Sequence, residues 1–222
     1  MKVQNIFPVW FVLILVWSTC TIGAVAPTNT RYFIDSSQEH INIKVHNGAD
    51  TGYMAQTWIE DIDGNKVTDS FSLLPSVFKI DASGNVLVRL LNKKHLQQQD
   101  QESLFYIVVQ DIPPNKGGKD NVIKIAYRSR VPLYYQPENI KTNKQTRSDW
   151  IDSLTWTIEE GVLQANNASP FYFTIASING EKLPGVNIVP PFGTYQFKSV
   201  TSIPKKYRYV NDFGAFVLTN ID

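Results

Sequence analysis

The chain has 222 residues and sets 21 Lys and Arg against 20 Asp and Glu, and the resulting net charge of +1 excludes the basic field that a nucleic-acid-binding domain needs. An aromatic content of 12% with 12 Gly and 12 Pro favours short strands joined by turns, and no long segment carries a helical period. The one cysteine, Cys20, lies close to the N-terminus, so the rest of the chain can form no internal disulfide and has to be held by packing.

The N-terminal segment reads as a secretory leader. Lys2 precedes an apolar stretch over 6–17, and the small residues Gly23, Ala24 and Ala26 follow. Cleavage is expected near Ala24, or at the latest after Ala26, where Pro27 makes a poor neighbour for the peptidase. The apolar stretch is too short and too interrupted for a span of about 20 residues, so the mature protein is expected to be secreted and not membrane-embedded.

Strand candidates then come at 31–34, 41–46, 53–60, 71–80 with a break, 86–91 and 103–112. Turn signals separate them at Asn47-Gly48, Asp63-Gly64, Ser83-Gly84 and Gly117-Gly118. A seventh, over 121–137, is the most informative: Ile123, Ile125 and Tyr127 fall on one face, while Lys124, Arg128 and Arg130 fall mostly on the other. That is the period-two pattern of one long strand with an apolar side. Seven such strands predict an antiparallel immunoglobulin-like sandwich over 27–137. A polar stretch over 138–148 leads into further candidates at 154–158, 162–166, 171–178, 194–197 and 207–218, which predict a second, smaller sandwich within 138–222. The fold class is therefore all-β, with two immunoglobulin-like sandwich domains.

Catalytic motifs are not apparent. The sequence has no nucleophile elbow, no zinc-protease helix and no phosphate-binding glycine loop. His40, His46 and His95 have no metal-ligand spacing, so no cofactor or enzymatic activity is expected. Asn167-Ala168-Ser169 has the form of a glycosylation acceptor, and Trp58, Trp150 and Trp156 read as sandwich packing.

Five motifs in order carry a resemblance: Thr30-Arg31; Gln101-Glu102-Ser103-Leu104-Phe105 with Asp111-Ile112-Pro113; Leu133-Tyr134-Tyr135-Gln136-Pro137; Val189-Pro190-Pro191; and Asn211-Asp212-Phe213-Gly214-Ala215. Everything after the leader resembles the periplasmic chaperones of the chaperone-usher pathway, the family of the P-pilus chaperone. The resemblance implies two sandwiches set at an angle around a cleft, and a periplasmic protein that binds pilin subunits, prevents their aggregation and delivers them to an outer-membrane usher. Clients of this family resemble a sandwich lacking its last strand, and the chaperone lends a strand of its own. Ile123, Ile125 and Tyr127 are then the expected donor residues, and the short loop before them resembles the branch associated with rod-like fimbriae.

Two departures stand beside these matches. Family members hold the client's terminal carboxylate with an Arg from the first strand and a Lys from the long one. Arg31 fills the first position, but Pro132 occupies the second and offers neither ammonium group nor backbone donor; Arg130, two residues away, is a candidate helper. The family also joins its domains through a Glu, an Arg before the linker proline, and an Asp. Glu102 and Asp212 match, whereas Gln136 stands at the Arg position, leaving Arg128, Arg130 or a lysine as alternatives for the missing cation. The competing reading is a secreted structural or adhesive sandwich, such as a fimbrial subunit or surface-binding module. A subunit would carry its own N-terminal donor extension and usually a cysteine pair, and neither is evident.

Overall fold

The computed structural model describes residues 25–93, 96, 100–114, 125–141 and 147–221. The first sandwich is built from nine strands: β1 (Val25–Pro27), β2 (Tyr32–Asp35), β3 (His40–Asn47), β4 (Tyr53–Glu60), β5 (Phe71–Leu74), β6 (Val77–Ile80), β7 (Asn85–Asn92), β8 (Ser103–Ile112) and β9 (Arg128–Gln136). They form a four-stranded sheet in the order β1-β3-β7-β5 and a five-stranded sheet in the order β2-β9-β8-β4-β6. All pairings are antiparallel except β2 with β9, where Tyr32 lies opposite Leu133 and Asp35 opposite Gln136. Alternation drives the burial: Ile43 and Val45 of β3 face Ile107 and Val109 of β8 across one core, while the intervening residues of β3 face solvent.

The chain changes sheets twice. β1, which was no strand candidate, ends at Pro27 with Thr28 N still bonded to Lys44 O, and β2 follows in the other sheet. The break over 71–80 is the same device, with Pro75 and Ser76 separating β5 in one sheet from β6 in the other.

The long run is shorter than its alternation suggests. β9 begins at Arg128, opposite Gln110 of β8. Residues 125–127 are not strand, and Ile123 lies outside the described residues. The regular ladder breaks at Tyr127, whose N–H is taken by the Asp111 side chain instead of the β8 main chain, and β8 itself ends one residue further on, at Ile112, before Pro113 and Pro114. Alternation records what a segment can pair with; a strand forms only where a partner is present.

A short helix, α1 (Glu138–Lys141), and a 3-10 turn (Arg147–Ser153) connect to the second sandwich. Its strands are β10 (Leu154–Glu159), β11 (Val162–Asn167), β12 (Phe173–Ile178), β13 (Glu181–Val189), β14 (Thr194–Phe197), β15 (Lys206–Val210) and β16 (Phe216–Asn220). The sheets run β10-β11-β14 and β13-β12-β15-β16. The single candidate over 207–218 is thus two strands folded back on each other, with Val210 opposite Phe216. β13 carries Pro184 and Gly185, and the glycine sits at φ 68° beside a register shift against β12, which hides the strand from a pattern search. Trp156 packs in this core 5.0 Å from Tyr207 and 5.6 Å from Phe197.

Asn167 is buried, and its amide group donates to Phe171 O and Pro190 O while its Oδ1 accepts from Ser169 N and Oγ. The acceptor-like triplet is therefore a structural clamp with no free amide for a glycan. Asn47 closes the corresponding strand end of the first sandwich in the same way, bonding Thr51 O, Asp81 O and Ala49 N.

Candidate functional site

The two sandwiches meet at a charge sealed from water. Arg147, only 1% exposed, opens the 3-10 turn and reaches back to Glu102, which has no exposed surface. Its Nη2 stands 2.9 Å from Glu102 Oε1 and its Nη1 3.2 Å from Oε2, a two-pronged pairing, while Nε donates to Asp212 Oδ1 at 2.7 Å. Nη1 also donates to Tyr172 O. Glu102 accepts two more bonds, from Gln136 Nε2 at 2.9 Å and Tyr172 N at 3.0 Å. The guanidinium is ringed by Tyr134 at 5.0 Å and by Phe33 and Phe171 at 5.7 Å each.

Burial pushes the Glu102 carboxyl above its ordinary range, against the pull of Arg147, Gln136 and the Tyr172 amide. For Arg147, burial acts downward but Glu102 and Asp212 outweigh it, and the group ends above its usual value. Every hydrogen bond reaching the Glu102 oxygens comes from a donor, so the pair is held ionised.

Arg147 is the cation that the sequence reading missed. Arg128 and Arg130 go elsewhere, both pairing with Glu60, a buried carboxylate on β4. Arg130 lies 3.6 Å from the Tyr106 ring centroid and donates to Asp61 O at 2.8 Å. Trp58 is on this outward face too, donating to Glu60 at 2.6 Å beneath Lys66 and Arg128, so it is no part of the core. The one signal available was that Arg147 is the only arginine between Arg130 and Arg208.

Arg31 stands where the chain first changes sheets. The parallel register of β2 with β9, carried back one residue, sets it beside Pro132. Its Nη1 donates to Val210 O of the second sandwich at 3.3 Å, its Nε is buried without a hydrogen-bond partner, and it forms no ion pair among the described residues. Burial draws its pKa down and the charge of Arg147 adds to this, against Tyr134, Asp212 and Glu102; an arginine so placed remains a cation. A cavity of about 760 Å³ opens beside it, lined by Thr30, Arg31 and Phe33 from one sandwich and by Asp212, Phe213 and Gly214 from the other.

The third feature is an unpaired edge. β2 covers β9 only over Leu133 to Gln136, so the flank of 128–132 that turns away from β8 has no partner among the described residues. Pro132 is compatible with such an edge. Ile125 and Tyr127 lie in line with it, 60% and 43% exposed, and share their parity with Val131, Leu133 and Tyr135 of the core row. Asp111 pins the start of this edge: its Oδ1 accepts from Tyr127 N at 2.7 Å and its own N–H donates to Tyr127 O at 3.0 Å. Among the described residues no group of His, Cys, Asp and Glu could hold a metal ion, and no helix is long and apolar enough to cross a membrane.

Two domains in this order are also what family models find in this sequence. The model of the pili and flagellar-assembly chaperone PapD N-terminal domain matches residues 24–141, and that of the pili assembly chaperone PapD C-terminal domain matches residues 149–220. The chain belongs to the pilus-assembly chaperone family. It is 31% identical over 209 residues to the probable fimbrial chaperone YfcS of Escherichia coli K12, covering 89% of this chain and 82% of that protein. It is 30% identical over 212 residues to the chaperone protein LpfB of Salmonella typhimurium, covering 91% and 90%. The solved CupB2 chaperone of Pseudomonas aeruginosa is similar at a TM-score of 0.71 and 26% identity, covering 88% of this chain and 98% of that one. A chain of the Salmonella enterica SafA pilin–SafB chaperone complex shares the fold, with a TM-score of 0.78 at 20% identity over 91% and 99% of the two chains.

Both domain models describe chaperones, which sets aside the structural or adhesive reading. In this member the residues expected to join the domains, Glu102, Gln136 and Asp212, do come together, with Gln136 as a neutral donor to Glu102 and the cation arriving from beyond the linker proline.

Removing Arg147 leaves a buried Glu102 without its charge partner, which costs on the order of 3–5 kcal/mol. Arg147→Met is expected to lower the unfolding free energy by about that amount in urea titrations. Arg147→Lys should recover only part of it, because an ammonium cannot make the two-pronged bond and reach Asp212 as well.

Proposed function

We propose that this chain is a periplasmic chaperone that lends the edge running from Ile123 through Tyr127 into β9 to a pilin subunit and passes the subunit to an outer-membrane usher. The observation that carries this reading is the apolar row that continues past the end of its own sandwich. Leu133 and Tyr135 are core, Val131 is at the margin, and Tyr127 and Ile125 are exposed on a segment whose flank away from β8 has no neighbouring strand among the described residues. A row of that kind is an aggregation hazard unless it has an occupant. An incomplete sandwich supplies one, since it lacks a strand and presents both a groove for alternate side chains and unpaired backbone groups. Each apolar side chain so buried contributes about 1.5–3 kcal/mol before the cost of ordering.

Arg31 is the anchor for the client's terminal carboxylate in this proposal. It is a cation with unused donors, next to a cavity and without an ion-pair partner among the described residues. Pro132 takes no part. Arg130 is committed to Glu60 and the Tyr106 ring, so any help it gives requires leaving them. No nucleotide enters the scheme, and hand-over is driven by the client completing its fold with a better-fitting strand. The relatives support the reading, being fimbrial chaperones with one structural neighbour bound to a pilin.

The leader is also proposed to end before Val25. That residue has no exposed surface and pairs with Asn47, so cleavage after Ala26 would remove a core side chain and most of β1. N-terminal sequencing of protein recovered from the periplasm should begin at Val25 or earlier, and a start at Pro27 would contradict this placement.

Capture of the natural subunit from periplasm, quantified against wild type, tests the remainder. Changing Ile123, Ile125 and Tyr127 together to Ser should leave a normally folded protein that recovers no subunit. Arg31→Ala should abolish recovery as well, since an unpaired, partly buried carboxylate costs about 2–5 kcal/mol. Pro132→Lys should hold or raise recovery, and Arg130→Ala should lower it only if that side chain reaches the client. Subunit bound normally by both the triple variant and Arg31→Ala would overturn the proposal.

A further inference from the structure

Phe213 is 95% exposed, more than any other large apolar side chain described, yet its backbone is closely fixed. Asn211 Oδ1 accepts from Phe213 N at 3.0 Å and from Ala215 N at 2.9 Å, and Gly214 N donates to Asn211 O at 3.0 Å. On one side of the ring Asp212 is held by Arg147 at 2.7 Å. On the other, Gly214 sits at φ 82° and so near the first sandwich that a Cβ there would stand 2.9 Å from Thr30 Oγ1. The turn therefore holds an aromatic ring out into solvent from a rigid mount tied to both domains. With its backbone fixed, the turn has little freedom left to lose when the ring is covered.

The ring lines the same cavity as Arg31 and Phe33. Only two charged residues line that space, Arg31 and Asp212, and Asp212 is tied to Arg147, whose single charge it shares with Glu102. An entering carboxylate thus meets one cation that has a buried, unused donor and no salt bridge of its own among the described residues, and the residue that carries it has an aromatic ring at the rim to pack against.

We propose that Phe213 is a specificity-determining contact for the client's last residues, closing over an apolar or aromatic terminal side chain while Arg31 holds the terminal carboxylate. This rests on the reading of Arg31 given above and extends it from charge to side-chain preference. The contact selects large apolar termini over polar or acidic ones, and the fixed backbone of the turn limits the ordering cost to the side chain.

Acetylated decapeptides of alternating Thr and Val serve as the probe, ending in Phe, in Ser, or in Phe carboxamide, with affinities measured by calorimetry. Wild type should bind the Phe-ending acid roughly tenfold more tightly than the Ser-ending acid, the scale of a single apolar contact. Phe213→Ala should bring that ratio to about one, and Phe213→Leu should retain part of it. Arg31→Ala should weaken both acids alike and leave their ratio standing. An unchanged ratio in Phe213→Ala overturns the proposal while leaving the carboxylate anchor intact. Wild type that binds the carboxamide as well as the acid, or binds no peptide, overturns the anchor reading and this proposal together.

Discussion

Arg147 has to be charged, dry and fully paired at once, and the relation between the two sandwiches depends on that requirement. Its partners come from both sides: Glu102 at the start of β8, Asp212 in the turn before β16, and the carbonyl of Tyr172 next to β12. A buried ion pair adds little net stability compared with apolar packing, but leaving either member unpaired costs several kcal/mol. The junction is therefore better at rejecting wrong arrangements than at stabilising the right one. Any displacement of one sandwich relative to the other strips a partner from a guanidinium that water cannot reach. The same contacts fix the turn carrying Phe213 and hold Val210 O over Arg31, so the geometry of the cleft depends on one charge.

Exposure at the β9 edge is the opposite kind of feature. Soluble proteins ordinarily blunt an edge with charge, proline or a covering loop. Here Arg128, Arg130 and Pro132 occupy the outward-facing positions of the open stretch, while the opposite row runs from Val131 past Ser129 to the apolar Tyr127 and Ile125. Asp111 fixes where this row leaves the sandwich by bonding Tyr127 at both N–H and C=O. The edge is thus charged on one face and adhesive on the other. The adhesive face is aligned with the core, so an added strand would extend the sandwich instead of attaching to its surface.

Much of this was legible in the sequence for physical reasons. Alternation marks strands half-buried in sandwiches, and β3, β4, β7 and β8 stand close to where alternation put them. β1 was obscured because Val25-Ala26-Pro27 also reads as a leader's small-residue end. β13 was lost at Pro184-Gly185, and β15 and β16 were merged although Asn211, Asp212 and Gly214 between them are turn residues. The long strand was overextended at its start because a side-chain pattern does not reveal where the neighbouring strand stops. Glu102, Gln136 and Asp212 were found by resemblance. Arg147 was not, because it sits in a polar connection without periodicity, and its importance arises only from folding back onto a carboxylate 45 positions earlier.

Amide hydrogen exchange on the free chaperone and on its complex with a subunit purified from periplasm addresses strand lending most directly. In the free protein the amides over 125–132 that face the open flank should exchange quickly, apart from Tyr127, which Asp111 holds. In the complex they should become protected in an alternating pattern, with 133–136 unchanged because β2 already covers them. Protection confined to other surfaces, with 125–132 exchanging as fast in the complex as in the free protein, would contradict the account.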